Sequence, residues 1–132
     1  MTTCTIIIIK KNYEIILNMK DFIEKLKALS DENRFRIVMM LKIKPLCVCE
    51  IYSVLSISNS TVSTHLKTLR NAKIIDYKKD GRWMEYFILP EIIPLLDMTE
   101  NLIKNKEIIN NDREKLKYLS RDVCSANFEK NK

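Results

Sequence analysis

Two thiols one residue apart, Cys47 and Cys49 in the run Leu46-Cys47-Val48-Cys49-Glu50, are the side chains best suited to chemistry in this chain. Soft thiolates select soft ions, among them Cd(II), Pb(II) and Cu(I), and also Zn(II), while As(III) likewise prefers sulfur. On a regular helix residues i and i+2 point about 200° apart, so such a pair converges on one ion only where the backbone leaves the helical path. A helix start is such a place, and its positive dipole end favours the thiolate form. The plainer alternative is two small buried hydrophobes beside Leu46 and Ile51. Exposed thiolates of low pKa are also readily oxidised, so a thiol redox or persulfide sensor built on the same two cysteines stands as a second reading.

Little else suits catalysis. With one His, one Gly and one Trp, the chain offers no Gly-rich phosphate cradle and no nucleophile paired with a base, so an enzyme is not expected. His65 follows Val62 by three residues and precedes Leu69 by four, half turned to the core. It reads as a structural residue of its helix and not as a ligand.

A second group of residues suits DNA. Val62, Leu66 and Leu69 fall at i, i+4 and i+7 and mark a buried helical face, which turns Asn59, Ser60, Ser63, Thr64 and Lys67 outward. Short polar side chains there allow close approach to base edges in a major groove. Lys67, Arg70 and Lys73 add positive charge along that element, and Lys78, Lys79 and Arg82 surround a hairpin tip where phosphates would lie. The balance of 23 Lys+Arg against 17 Asp+Glu over 132 residues, a net charge of +6, agrees with a polyanionic partner. An ordinary solvated face is the bland alternative for such a helix alone, and the basic hairpin weighs against it.

The elements that position these groups are legible from periodicity. Phe22, Ile23, Leu26 and Leu29 draw one face of a first helix from Met19. Ser30 ends it and Asp31 caps a second, which carries Ile37, Met40 and Leu41 on one side and stops before Pro45. A short third helix spans about Val48 to Leu55, and after the polar turn 56–59 Ser58 caps a fourth, so the two make a helix-turn-helix. Ile74 to Lys79 and Trp83 to Leu89 then read as strands around Asp80-Gly81, the position of the only glycine. Leu95, Leu102, Ile109 and Leu116 recur by sevens with Met98 and Leu119 on the seam. They predict a long helix to about Lys106, a polar break at Asn110-Asn111-Asp112 and a short helix to Ser120. The expected fold class is mainly α (α+β), a winged helix-turn-helix with a β-hairpin wing and terminal dimerisation helices. Its expected divisions are an N-terminal extension over 1–18, the DNA-binding domain over 19–89, C-terminal dimerisation helices over 90–120 and a flexible tail over 121–132.

Four blocks in order resemble the ArsR/SmtB family of metal-responsive winged-helix repressors. They are Leu26-Lys27-Ala28-Leu29-Ser30-Asp31-Glu32-Asn33-Arg34, Leu46-Cys47-Val48-Cys49-Glu50, the run from Ser60 to Leu69, and Asp80-Gly81-Arg82-Trp83. The resemblance covers about Leu26 to Leu89. It implies a homodimer that holds double-stranded operator DNA and lets go when a thiophilic metal or metalloid, As(III), Cd(II), Pb(II) or Zn(II), binds as inducer, with no organic cofactor. The arsenic-sensing pattern carries a third Cys three residues after the second, where this chain has Tyr52. The zinc site of other members pairs Asp with His on the last long helix, and here Asp97 has no such His. The third thiolate then falls to Cys4 in the extension, as in cadmium- and lead-sensing members, or to Cys124 near the C-terminus; Cys4 is the preferred candidate, although Met19 is also readable as a start.

No membrane partner is expected, because the apolar run Ile6 to Ile9 is cut by Lys10, Lys11 and Asn12, far short of the roughly 20 residues a spanning helix needs. No signal-peptide pattern is visible, and in a reducing cytoplasm the four cysteines read as thiols.

Overall fold

The computed structural model describes residues 18–120, so Cys4 and the expected extension before Asn18, and Cys124 with the expected tail, lie outside the described residues. Helix α1 spans Met19–Leu29 and starts where the Asn18 side chain accepts a hydrogen bond from the Lys20 N–H. Helix α2, Glu32–Leu41, is capped by Asp31, whose carboxylate accepts from the Arg34 N–H at 3.0 Å. Its residues Ile37 through Leu41 are all buried, so the C-terminal half of α2 is covered on every side and not only along the face expected for Ile37, Met40 and Leu41. The other elements pack around it.

Strand β1, Leu46–Cys47, leads directly into α3, Val48–Leu55. Ser56 adopts a left-handed conformation (φ 55°) that ends α3, and Ser58 starts α4, Asn59–Asn71, by accepting from the Thr61 N–H at 3.2 Å. At the far end Lys73 is also left-handed (φ 59°), and the Ile74 N–H reaches back to the Leu69 carbonyl at 3.1 Å, the six-to-one bond that closes a helix of this kind. The wing follows as β2, Ile75–Asp80, and β3, Trp83–Ile88. Asp80 pairs with Trp83, so the two-residue turn is Gly81-Arg82, one residue later than expected, with the glycine at φ +62° where it is conformationally free. All pairing is antiparallel in the order β1-β3-β2, with Leu46 opposite Tyr86 and Cys47 opposite Glu85.

A 3-10 turn, Pro90–Ile92, precedes α5, Ile93–Leu102, and α6 runs from Glu107 to Leu116. The expected long helix with a break at Asn110-Asn111-Asp112 is therefore corrected: the chain breaks at Ile103, which is extended, and restarts where the Asn105 side chain accepts from the Glu107 N–H. Asp112 does not interrupt α6, because its carboxylate is engaged elsewhere and leaves the helix backbone alone. Buried in the core, it takes two 2.8 Å hydrogen bonds from the Arg36 guanidinium. The break also splits the seven-residue seam. Ile109 and Leu116 are buried where α6 packs on α2 and α3, whereas Leu102 is exposed, so Ile109 belongs to the protomer's own core.

Helix α1 differs from its expected face in a comparable way. Lys25, Ala28 and Leu29 point inward, while Met19, Ile23 and Leu26 face out. The Lys25 ammonium is 2% exposed at the residue level and donates to the Ala72 carbonyl at 3.0 Å, which ties α1 to the C-terminal end of α4.

The corner between α5 and α6 is pinned by Glu100. Its carboxylate accepts from Lys42 at 2.7 Å and from both terminal nitrogens of Arg113 at 2.9 Å, while Arg113 also donates to the Met39 carbonyl. The Arg113 hydrogen bonds, opposed by burial and aided by Lys42, hold the Glu100 carboxyl down at about 2 against an ordinary 4.5. A depressed carboxyl stabilises the fold fully above its unfolded value, and that contribution is lost as pH falls from about 4.5 toward 2. Glu100→Gln should lower stability at pH 7 by about 2 kcal/mol, the scale of hydrogen bonds to a charged group, and flatten the urea-midpoint profile over that window. An unchanged acid profile in the variant would show that other carboxyls carry the effect.

Candidate functional site

The thiol pair sits where strand passes into helix. Cys47 is the N-cap of α3 with extended backbone (φ −89°, ψ 165°), and Cys49 lies in the first turn. That departure from helical geometry brings the two sulfurs to 3.0 Å. Both residues are buried, with Trp83 of the wing and Leu119 packed against them. Cys47 carries a free thiol, whereas Cys49 is disulfide-bonded, which corrects for Cys49 the expectation that the cysteines are reduced thiols.

Glu50 completes the immediate surroundings. It is itself buried, and its Oε1 accepts from the Cys47 N–H at 3.1 Å and from the Cys47 thiol at 3.2 Å, with the Lys44 ammonium 4.0 Å from the other oxygen. Burial, reinforced by the Glu50 carboxylate beside it, pushes the Cys47 thiol up to about 11 even though its backbone hydrogen bonds act the other way. The expectation that the helix start favours a thiolate is thus corrected for Cys47: desolvation outweighs the dipole, and the resting group is a protonated thiol.

Two sulfur ligands about 2.3 Å from a tetrahedral ion stand roughly 3.8 Å apart. Cys49 is disulfide-bonded, so as it stands only Cys47 offers a thiol, and the two sulfurs become a pair of ligands for a thiophilic ion only once that bond is reduced. Among the described residues no group of three Cys, His, Asp or Glu side chains is arranged to hold a metal. Cys4, the expected third ligand, lies outside the described residues, as does Cys124. Asp97 on α5 pairs with Lys42 at 2.7 Å.

The second region is the α4 face. Ser60, Ser63, Thr64 and Lys67 are exposed, opposite the buried Val62, Leu66 and Leu69. Asn59 departs from the outward reading, since it is half-buried and its Oδ1 is shut in with no hydrogen-bond partner among the described residues. Lys78, Lys79 and Arg82 are exposed on the wing, with Lys78 also 3.5 Å from Glu85 across the hairpin and the Arg82 guanidinium 4.7 Å over the Trp83 ring. Arg70 is pinned against β2, 4.1 Å over the Tyr77 ring and 3.7 Å from Asp76. His65 lies between Asp31 at 3.9 Å and Arg34 at 3.5 Å, a structural position that joins α4 to the start of α2.

Glu50, Lys25 and Trp83 were not singled out as functional from their own positions. For Glu50 a signal existed, because an acidic residue three places after an N-cap is the spacing of a capping box. Lys25 and Trp83 gave none, since their partners are distant in sequence.

A helix-turn-helix whose second helix shows a polar exposed face, followed by a basic two-stranded wing, is the architecture of a winged-helix DNA-binding transcription regulator. Residues 31–77 match the family model described as bacterial regulatory protein, arsR family. The chain is 40% identical over 82 residues to the cadmium resistance transcriptional regulatory protein CadC of Listeria innocua, spanning 61% of this chain and 67% of that protein. It is 37% identical over 71 residues to the arsenical resistance operon repressor of Escherichia coli, spanning 53% of this chain and 61% of that protein. Among solved structures, HlyU from Vibrio cholerae superposes with a TM-score of 0.62 at 28% identity, covering 67% of this chain and 97% of that one. Reduced HlyU gives a TM-score of 0.61 at 28% identity over 70% of this chain and 99% of that one. The chain belongs to the arsR family of bacterial transcription regulators. No described helix is long and apolar enough to cross a membrane.

The resting state of Cys47 is directly measurable. With its thiol at about 11, roughly one part in a thousand is thiolate at pH 8. Alkylation of Cys47 by iodoacetamide, followed residue by residue by mass spectrometry, should remain slow to about pH 10 and rise beyond it. Half-maximal reactivity below pH 8 would mean that burial does not govern this thiol.

Proposed function

We propose that this chain is a homodimeric repressor that holds operator DNA through α4 and the wing and releases it when a thiophilic metal or metalloid occupies Cys47 and Cys49. The observation that carries this reading is the convergence of two buried sulfurs to 3.0 Å at the start of the helix just ahead of α4. The cadmium and arsenic resistance named in the descriptions of two relatives supports a soft inducer of the class As(III), Cd(II), Pb(II) or Zn(II). Both thiols must be reduced to act as ligands, and Cys4, or failing it Cys124, supplies the third.

On the DNA side, Ser60, Ser63, Thr64 and Lys67 face the major groove, and Lys78, Lys79 and Arg82 take phosphates. Asn59 serves mainly to set the start of α4. Dimerisation uses the apolar surface left outside the protomer core, Met19, Ile23 and Leu26 on α1 with Met98 and Leu102 on α5, since such faces are rarely left to water. The expected division into a DNA-binding domain over 19–89 and dimerisation helices over 90–120 stands as part of this proposal, with α6 returned to the protomer core.

Under reductant, Cd(II) should develop a sulfur-to-metal charge-transfer band and weaken operator binding 5–150-fold, the usual range of allosteric coupling. Cys47→Ser and Cys49→Ser should each keep the affinity of the metal-free protein and lose the response. Retained release in both variants with every thiophilic ion removes the metal reading. Lys67→Ala should weaken binding, and a Lys78/Lys79/Arg82 triple Ala variant should flatten its dependence on salt by about 0.9 in log–log slope for each phosphate it no longer neutralises. Leu102→Asp should convert a dimer to a monomer in sedimentation and abolish operator binding with it; a dimer that persists in the variant places the interface elsewhere.

The disulfide at Cys49 favours one second reading, a repressor that responds to thiol oxidation or persulfide through the same cysteines. Peroxide or polysulfide in place of Cd(II) separates the two. The raised Cys47 thiol makes that residue slow to react in such chemistry.

A further inference from the structure

We infer that the cleft between α1 and the C-terminal end of α4 is a binding site for a small oxyanion, a phosphate- or carboxylate-bearing molecule held by Lys25 and Lys73. The inference goes beyond the reading of the thiol site and does not rest on it.

Lys25 is a buried cation with too few partners. It is 2% exposed at the residue level, and its ammonium donates to the Ala72 carbonyl at 3.0 Å. An ammonium has three N–H groups. Among the described residues this is the only hydrogen bond the Lys25 side chain makes, and no carboxylate stands within 4 Å of it. Asp21 lies four residues earlier on α1, the spacing of a helical ion pair, yet none forms and the ammonium reaches across to α4. The other carbonyls at that helix end are taken by backbone N–H groups, Thr68 by Ala72, Leu69 by Ile74 and Arg70 by Lys73. One neutral oxygen therefore answers a buried positive charge, with the partial negative charge at the end of α4 offsetting part of the cost. Burial of a charge is expensive unless it is both paired and hydrogen-bonded.

The side chain also opens onto space. With Asn71 and Lys73 it lines a cleft of about 320 Å³ between the two helices. Lys73 follows Ala72 directly, in a left-handed conformation where Gly or Asn is the usual residue, and its ammonium has no acceptor among the described residues. The remaining cations of the lining are engaged. Arg34 turns its guanidinium to the Ala28 and Lys27 carbonyls and to His65, and Lys27 stands 3.6 Å from Glu24. With Glu24 matched by Lys27, Asp21 alone is set against Lys25 and Lys73, so the cleft carries excess positive charge.

Water in the cleft can accept the spare N–H groups but brings no charge. An oxyanion does both, and it can bridge two ammonium groups that come one from each wall. The lining has no aromatic side chain, and its carbon comes from Ala28, Ala72 and the stems of the charged residues. Such walls suit a short polar chain behind the head group and not a hydrophobic ligand.

The test uses the full-length protein, with glycerol 3-phosphate and succinate as probes, titrated at an ionic strength held fixed with sodium chloride. The backbone amide resonances of Ala72 and Lys73 should shift and saturate with at least one probe, and the tighter of the two names the head group. Lys25→Met keeps the length of the stem and removes the charge, a change that buried sites commonly accept. It should weaken binding at least about 10-fold, the low end of what a hydrogen bond to a charged group contributes. Lys73→Asn suits the left-handed backbone and should weaken binding about 2- to 5-fold, as for an exposed cation. The Lys78/Lys79/Arg82 triple Ala variant should bind the probes as the parent does, since an anion that merely sits on the DNA face would be lost there.

No saturable shift at Ala72 and Lys73 with either probe overturns the inference. So does binding that survives both Lys25→Met and Lys73→Asn, or that is kept in Lys25→Met and lost in the wing variant. Should Lys25→Met fail to fold, unchanged binding in Lys73→Asn is enough to overturn it.

Discussion

The pairing of a two-residue strand, Leu46–Cys47, with the centre of β3 is the constraint on which the functional arrangement depends. It holds Cys47 in extended backbone directly before α3, and that conformation brings two sulfurs one residue apart face to face. It also commits the start of α3 and the root of the wing to one sheet. From that junction α3 leads through one tight turn into α4, and β3 leads directly to the hairpin tip.

Around that junction the protein is held by polar ties that cross between elements. Arg36 and Asp112 join α2 to α6, Glu100 joins α5 to Lys42 and Arg113, and Lys25 joins α1 to the end of α4. Each is largely removed from water, where breaking one partner of a pair costs more than making the pair contributes. Such ties are weak sources of stability and strong selectors of geometry. They fix how α6 lies over α2 and α3, and so which apolar residues are left on the outside of α1 and α5.

The chemistry of the thiol site follows from the same burial. A desolvated Cys47 beside a buried carboxylate is held as a protonated thiol, and a ligand with strong sulfur affinity is needed to displace its proton. That state distinguishes Cys47 from exposed, acidic thiols whose purpose is to react.

Local sequence determined most of what depends on neighbours in the chain. The caps at Asp31 and Ser58, the buried stripe of Val62, Leu66 and Leu69, and the single glycine at the hairpin turn each act within a few residues, and each stands where periodicity and capping chemistry put it. The exposure of Ser60, Ser63, Thr64 and Lys67 follows from that stripe without further information. Partners far away in sequence decided the rest. Asp112 is a helix breaker by type, yet Arg36, 76 positions earlier, turns it into a core residue inside α6. Lys25 occupies an inward position of an apolar helix because Ala72, 47 residues on, offers a carbonyl. The acidity of Cys47 was set by desolvation and a buried Glu50, which outweigh the helix dipole that sequence alone brings forward. Periodicity records which side of an element is apolar, but only the packed chain assigns that side a partner, and the low dielectric that packing creates then decides which charges and thiols survive there.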